Sequence, residues 1–406
     1  MSGTPSRRGA IFSILPILAA PRSRAADAQP ARSDLFVSGT HGNAVYRIPG
    51  LAVTSSGSLL AYAEARKTTG SDWDAISLVL RRSEDRGATW SPQQVIGRLP
   101  GPISPNPVMS GRPRPAGAIT YNNPVAVPGR KRGDVLFVYC VEYQRAYVMR
   151  SADGGRTFSA PVDITPVFEQ FRPEYNWKVI ATGPGHGIRL RNGRLLIPVW
   201  LSTSETGPHH PSVVSTIYSD DGGSTWRRGA IAAASSGEIL NPSEAAAVQL
   251  SDGRVMLNIR SESKQHRRLV ATSPDGATGW SAPRFQEELA EPICFGSLVR
   301  HSGKRLLFVN PGNLLRGGGP GEPGRPRDRR NLTVQLSEDD GITWKVKRVI
   351  DPSWSGYADI NVDPSGSVYV LYERGEPDDK RFRIAALTLV RFPLSWVREG
   401  RRMDSA

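Results

Sequence analysis

Cysteine is nearly missing: Cys140 and Cys294 are the only two in 406 residues, which limits the chain to one disulfide and leaves no cysteine framework or cysteine metal cluster. Long apolar runs are missing as well. The best candidate, Gly9 to Ala20, is interrupted by Pro16 and falls short of the ~20 residues that cross a bilayer. Acid is scarce relative to base, with 38 Asp and Glu against 52 Lys and Arg for a net charge of +14, an excess that favours anionic partners. The basic clusters Arg130 to Arg132, Lys264 to Arg268 and Arg325 to Arg330 are dispersed. They come with neither an aromatic-rich RNA-binding phrase nor a helix-turn-helix, so a small anionic substrate fits the charge better than nucleic acid does. Nor is there a long amphipathic helical pattern. Instead, short runs read as strands: Asp134 to Cys140, Arg194 to Trp200, Arg254 to Ile259 and Ser367 to Tyr372, each bounded by Gly, Asp or Pro. The Gly/Pro/Arg segment from Gly312 to Arg327 reads as a long loop.

What the chain does have is a repeat. The phrase S-x-D-x-G-x-T-W occurs at Ser83 to Trp90, Ser219 to Trp226 and Ser337 to Trp344, with a Phe158-ended variant from Ser151 and a degraded copy from Ser273 that keeps Asp275 and Trp280. The copies start 54 to 68 residues apart, a period that admits one four-stranded propeller blade of roughly 40–50 residues plus loops. The chemistry suits a hairpin turn: Asp accepts backbone N–H groups just ahead of it, Gly supplies a positive φ, and the aromatic body is free to bury between sheets. The phrase resembles the Asp-box of sialidases and related propellers. That resemblance implies an all-β, six-bladed propeller of four-stranded antiparallel blades, the sixth combining residues after Val346 with an N-terminal strand. A box marks a scaffold, not an activity.

Activity has to come from residues outside the boxes. Tyr46-Arg47-Ile48-Pro49-Gly50 precedes the first box and resembles the Arg-Ile-Pro motif of sialidases. Members of that family use three arginines against the substrate carboxylate, as paired charge-assisted hydrogen bonds from planar guanidiniums would suit. The resemblance assigns these to Arg47, to Arg260 in Leu257 to Ser261, and to Arg329, with Arg330 the rival register. It also assigns the nucleophile to Tyr357 in Ser355 to Asp359, since a neutral phenol avoids the repulsion a second carboxylate would meet at the sialic acid anomeric centre. A phenol needs a base; Glu244, in Asn241-Pro242-Ser243-Glu244, resembles it. The acid is placed in the loop Ser71-Asp72-Trp73-Asp74, at Asp72 in preference to Asp74. Arg66 resembles a substrate-contacting arginine, and Glu373 the carboxylate that braces Arg47. Asn122-Asn123-Pro124 departs from the family, where an Asp commonly precedes the Pro, which leaves contacts on that side of the sugar open. Gly183 to Ile188 resembles a family phrase, but its His186 receives no chemistry.

The expected function is a retaining exo-α-sialidase acting on sialylated glycans, glycoproteins or glycolipids through a tyrosyl intermediate, with no cofactor, no metal, no nucleic-acid partner and no membrane span. A non-catalytic sialic-acid-binding propeller, a protein-binding scaffold and transfer in place of hydrolysis are the alternatives. Ser6-Arg7-Arg8, the apolar run and Ala26-Asp27-Ala28 read as an export signal over residues 1–28, by the general or the twin-arginine route. This leaves 29–406 as a single, secreted catalytic domain, expected to be monomeric.

Overall fold

A computed structural model describes residues 1–3, 30–68, 70–111, 114, 116–313, 329–376 and 383–402. The expected export signal, beyond its first three residues, and most of the Gly/Pro/Arg loop therefore lie outside the described residues. The described chain is built almost wholly from antiparallel strands, with two five-residue helices, Thr165–Glu169 and Leu394–Arg398. The strand-like runs fall where expected, as Val135–Val141, Leu195–Gly207, Val255–Ile259 and Ser367–Gly375. Cys140 and Cys294 are both free and buried.

The sheets pack in chain order, and the innermost strand of the first, Val45–Val53, touches both Tyr121–Pro128 of the second and Val346–Val362 near the end of the chain, closing a propeller-like ring. Among the described residues, six separate four-stranded sheets are not formed. Three sheets have four strands, one has six and one has eight. The eight-stranded sheet has a simple cause. Val346–Val362 runs for 17 residues; its first half pairs with Arg330–Ser337 and its second with Ser367–Gly375, so one strand serves two neighbours. The six-stranded sheet arises because Ala233–Ala234 and Ile188–Arg189 add short pairings to the hairpin of Leu195–Gly207 and His210–Ser219. The N-terminal strand Arg32–Val37 completes the ring by pairing with Ile384–Pro393.

Each box closes the turn that follows a strand, and in each the Asp does the closing. In the first, Thr89 N and Oγ1 donate to Asp85 at 2.9 and 2.5 Å, Ser83 Oγ donates at 2.8 Å, and Gly87 N donates to Ser83 Oγ at 2.8 Å. The bonds to Thr89 bring the Asp85 carboxyl down to about 2. The degraded copy works too: Ala277 N and Thr278 N reach Asp275 Oδ1 at 2.9 and 2.8 Å. The box aromatics Trp90, Phe158, Trp226, Trp280 and Trp344 each pack into a different apolar core between or within the sheets, of which Trp344 is the most buried at 1% exposure.

Candidate active site

At one mouth of the ring lies a cavity of about 410 Å³ with walls from all five sheets and the loops between them. Its floor is made by two bulged strands. The ladder of Val45–Val53 slips between Arg47 and Gly50, and that of Val346–Val362 slips between Ser355 and Ala358. A bulge re-aims a side chain, and here the two bulges turn Arg47 and Tyr357 toward each other, the Arg47 guanidinium standing 5.5 Å from the Tyr357 ring centre. Ile48 sits at φ 56°, a conformation a β-branched residue adopts only under constraint. The constraint is Glu373. Fully buried, it accepts Ile48 N at 3.1 Å, Tyr357 N at 3.1 Å and Arg47 Nε at 3.1 Å. Burial opposes the charge on Arg47, but Glu373 and Asp72 beside it hold its pKa above the ordinary value.

Glu244 and Arg260 come from adjoining strand ends, tied through Arg260 N to Glu244 O at 2.9 Å. Their side chains meet at the phenol. Tyr357 Oη donates to Glu244 Oε1 at 2.5 Å, while Arg260 Nη1 donates to the same hydroxyl at 2.7 Å and to Glu244 Oε2 at 2.5 Å. Burial pushes the Tyr357 pKa well above the usual phenol range even with Arg260 alongside. The third arginine, Arg329, stands 5.4 Å from the Tyr357 ring and donates Nη2 to Ile293 O at 2.7 Å. Arg330 points elsewhere, stacking on Trp354 at 4.0 Å, so it is Arg329 that lines the cavity. The Nε atoms of Arg260 and Arg329 are buried without a hydrogen-bond partner among the described residues, an arrangement that fits an incoming anion.

Asp72 and Asp74 part company. Asp74 is buried and its carboxylate accepts Thr68 N, Thr68 Oγ1 and Ala75 N, tying the loop to itself. Asp72 faces the cavity with its side chain 40% exposed, 2.8 Å from Arg66 Nη1 and 3.8 Å from Arg47 Nη1. Burial would raise its pKa, yet Arg66, Arg47 and His209 together hold it well below the carboxylate range. Arg66 stands directly behind Asp72. It is fully buried, does not line the cavity, and spends its guanidinium on Glu64 (2.7 Å), Asp72 and the Gly70 carbonyl.

Several lining residues escaped the sequence reading. Trp200, Tyr143 and His209 form an aromatic flank, with Trp73 packing on Tyr143 at 4.7 Å and stacking on His209 at 6.0 Å. His210 pairs with Glu262 at 3.3 Å. The adjacent His209 and His210 at a hairpin tip were the available signal. Asn123, already singled out in Asn122-Asn123-Pro124, sits at φ 52°, faces the cavity and accepts Asn122 Nδ2 at 2.9 Å. Among the described residues no cluster of His, Cys, Asp and Glu is arranged to hold a metal ion, and no helix is long and apolar enough to cross a membrane.

A ring of Asp-box sheets around a cavity of arginines, carboxylates and aromatic side chains, with the Tyr357 phenol among them, defines a propeller whose site is suited to an anion. Comparison with known proteins is consistent with this. The BNR repeat-like domain family matches residues 118–370. The chain is 30% identical to a sialidase of Micromonospora viridifaciens over 91% of its own length and 58% of that protein, and 30% identical to Sialidase-2 of Rattus norvegicus over 84% of its own length and 92% of that protein. It thus spans less than two thirds of the Micromonospora relative. In structure it is similar to the Hadza microbial sialidase Hz136, with a TM-score of 0.71 at 25% identity, covering 90% of this chain and 69% of that one. The chain belongs to the sialidase family.

Proposed function

We propose that the protein is a retaining exo-α-sialidase that removes terminal α-linked sialic acid from glycans, glycoproteins or glycolipids. The observation that carries this is the Glu244–Tyr357–Arg260 contact, with the phenolic oxygen 2.5 Å from a carboxylate and 2.7 Å from a guanidinium. A buried phenol whose pKa is pushed up does not ionise unaided at neutral pH, so its proton must pass to Glu244 as the oxygen attacks. Arg260 stabilises the charge that develops on that oxygen. Arg47, Arg260 and Arg329 take the substrate carboxylate and set the anomeric carbon over Tyr357 Oη.

In the first step the Tyr357 oxygen bonds to the anomeric carbon, the glycosidic C–O bond breaks, and Asp72 gives its proton to the departing oxygen. In the second, Asp72 takes a proton from water, the water oxygen adds to the anomeric carbon as its bond to the Tyr357 oxygen breaks, and the phenol recovers its proton from Glu244. Two inversions retain the configuration. Without ligand, Asp72 is held as the carboxylate by Arg66 and Arg47, the wrong state for an acid. A substrate carboxylate at Arg47 neutralises one of these cations, which lets the Asp72 pKa rise toward the working range. Glu373 orients Arg47 and Tyr357 without touching substrate, and Arg66 positions Asp72.

The eight-stranded sheet reads as two blades sharing the strand Val346–Val362, since a box follows the third strand of its first half as in the other sheets; counted so, the propeller has six blades. Residues 29–406 form one secreted catalytic domain after removal of 1–28. The experiment is hydrolysis of a fluorogenic sialoside together with labelling by a fluorinated sialic acid. Turnover with the label mapped to Tyr357 by mass spectrometry is expected; a label on another residue, or no turnover, overturns the reading.

A further inference from the structure

The innermost strands carry the site residues at one end and open onto a second cavity at the other. Val53, Pro128, Gln249 and Asn361 line this second space, of about 370 Å³, and each lies a few residues beyond Arg47, Asn123, Glu244 or Tyr357 on the same strand or strand end. We propose that this opposite mouth is an oxyanion-binding site, taking a sulfate or phosphate group either free or as a monoester on a small sugar.

The charge on its walls is of one sign. His186, Arg189, Arg191 and Arg300 line it, with no Asp or Glu among the described residues. Arg300 is matched by Asp340 at 3.2 Å. Arg191 spends its Nη1 and Nη2 on the carbonyls of Ser251 and Leu250 at 3.1 and 3.2 Å, which orients the guanidinium but leaves its charge without a carboxylate among the described residues. Arg189 is exposed, again with no carboxylate partner among the described residues. At the floor, His186 Nδ1 meets Asp359 Oδ1 at 2.8 Å, and the same carboxylate accepts Ser297 Oγ at 2.6 Å and Leu51 N at 2.7 Å. The pair fixes the ring and leaves Nε2 as its remaining polar atom. Burial opposes protonation, but Asp359 raises the His186 pKa above its ordinary value, and an imidazolium there presents one more donor. Ile188, Val248 and Val299 form apolar walls that reduce screening of these charges. The volume admits a monosaccharide ester and excludes a nucleic-acid duplex.

This site does not depend on the sialidase reading, and its test is independent of activity. Inorganic sulfate is titrated calorimetrically into the full chain at constant ionic strength, which removes general screening as an explanation. Wild type and Arg260→Ala, a variant confined to the other mouth, should both bind in a saturable manner. Arg189→Glu, a change at an exposed position, should weaken binding at least about tenfold, and His186→Asn should weaken it as well. Sulfate binding that survives Arg189→Glu but is lost in Arg260→Ala overturns the proposal, as does an absence of saturable binding for sulfate, galactose 6-sulfate and glucose 6-phosphate alike. Tighter binding of an ester than of the free ion identifies a sugar-borne ligand; the reverse order identifies the free ion.

Discussion

Glu244 and Asp72 are both carboxylates at one cavity, yet their surroundings assign them different work. Glu244 meets the phenol as well as Arg260, while Asp72 pairs with Arg66 and Arg47. Replacing Glu244 by Gln keeps the shape but removes the proton acceptor, so formation of the tyrosyl intermediate should slow by about 10²–10⁴-fold. Asp72→Ala should be nearly restored by an aryl sialoside whose leaving group needs no proton, while Glu244→Gln should stay slow on it. Equal restoration of both would remove Glu244 from the nucleophile. The arginines offer a sharper contrast. Arg329→Ala should cost about tenfold to a hundredfold in kcat/KM, as a lost charge-assisted pair of roughly 1.5–3 kcal/mol implies, and Arg330→Ala, whose side chain lies on Trp354, should cost little. Steady-state kinetics on one aryl sialoside decides it, with a larger loss for Arg330→Ala counting against the geometry. Sequence could place Tyr357, Glu244 and Arg47 because each sits in a short phrase with its own spacing. The burial of Arg66 behind Asp72 was not legible, because it depends on Glu64 two residues earlier and on a loop folding back over both.

For single elements, the boxes were legible because the Ser and Asp bonds that close them span five residues or fewer, and the degraded copy retains its turn through Ser273 and Asp275. What they bury was not legible. Trp90 is only half-buried, whereas Trp344 is 1% exposed and packs edge-on against Phe308 at 6.1 Å. Trp344→Ala should therefore destabilise by about 3–5 kcal/mol and Trp90→Ala by clearly less, read as denaturant midpoints at constant slope; equal losses would show that the turn, not the aromatic, is what matters. The merging of two strand sets through Val346–Val362 also lay beyond sequence reading, since Asp351-Pro352 and Gly356 in that run read as strand boundaries while the strand continues through them. The hairpin that brings His209 and His210 to the cavity was hidden for a similar reason: its pairing slips between Ser202 and Gly207.

Across the whole molecule, closure rests on the N-terminal strand. Leu35 and Phe36 are buried, Arg32 meets Asp351 at 2.9 Å, and Asp34 meets Arg374 at 2.7 Å. Phe36→Ala should cost about 3–5 kcal/mol. A deletion through Val37 should lower the midpoint further; an unchanged midpoint would mean the ring holds without its clasp. Acid should loosen the structure at a definite place. The hydrogen bond from His210 holds the Glu262 carboxyl down at about 2 against the effect of burial. A depressed carboxylate contributes stability above its unfolded pKa and loses it as pH falls through the folded value, so Glu262→Gln should flatten the stability profile between about pH 4.5 and pH 2. A profile unchanged by that substitution would exclude the pair as a contributor.

The pairing of Arg32–Val37 with Ile384–Pro393 also sets an order of events in time. The earlier strand must wait unpaired until a partner made much later leaves the ribosome. Sheets with local hairpins are free to form during synthesis, but the ring cannot close on the way, and so large a sequence separation makes closure slow. The clasp is therefore the step at which a half-made chain, carrying an open sheet edge, is most exposed to pairing with a neighbour instead of with itself.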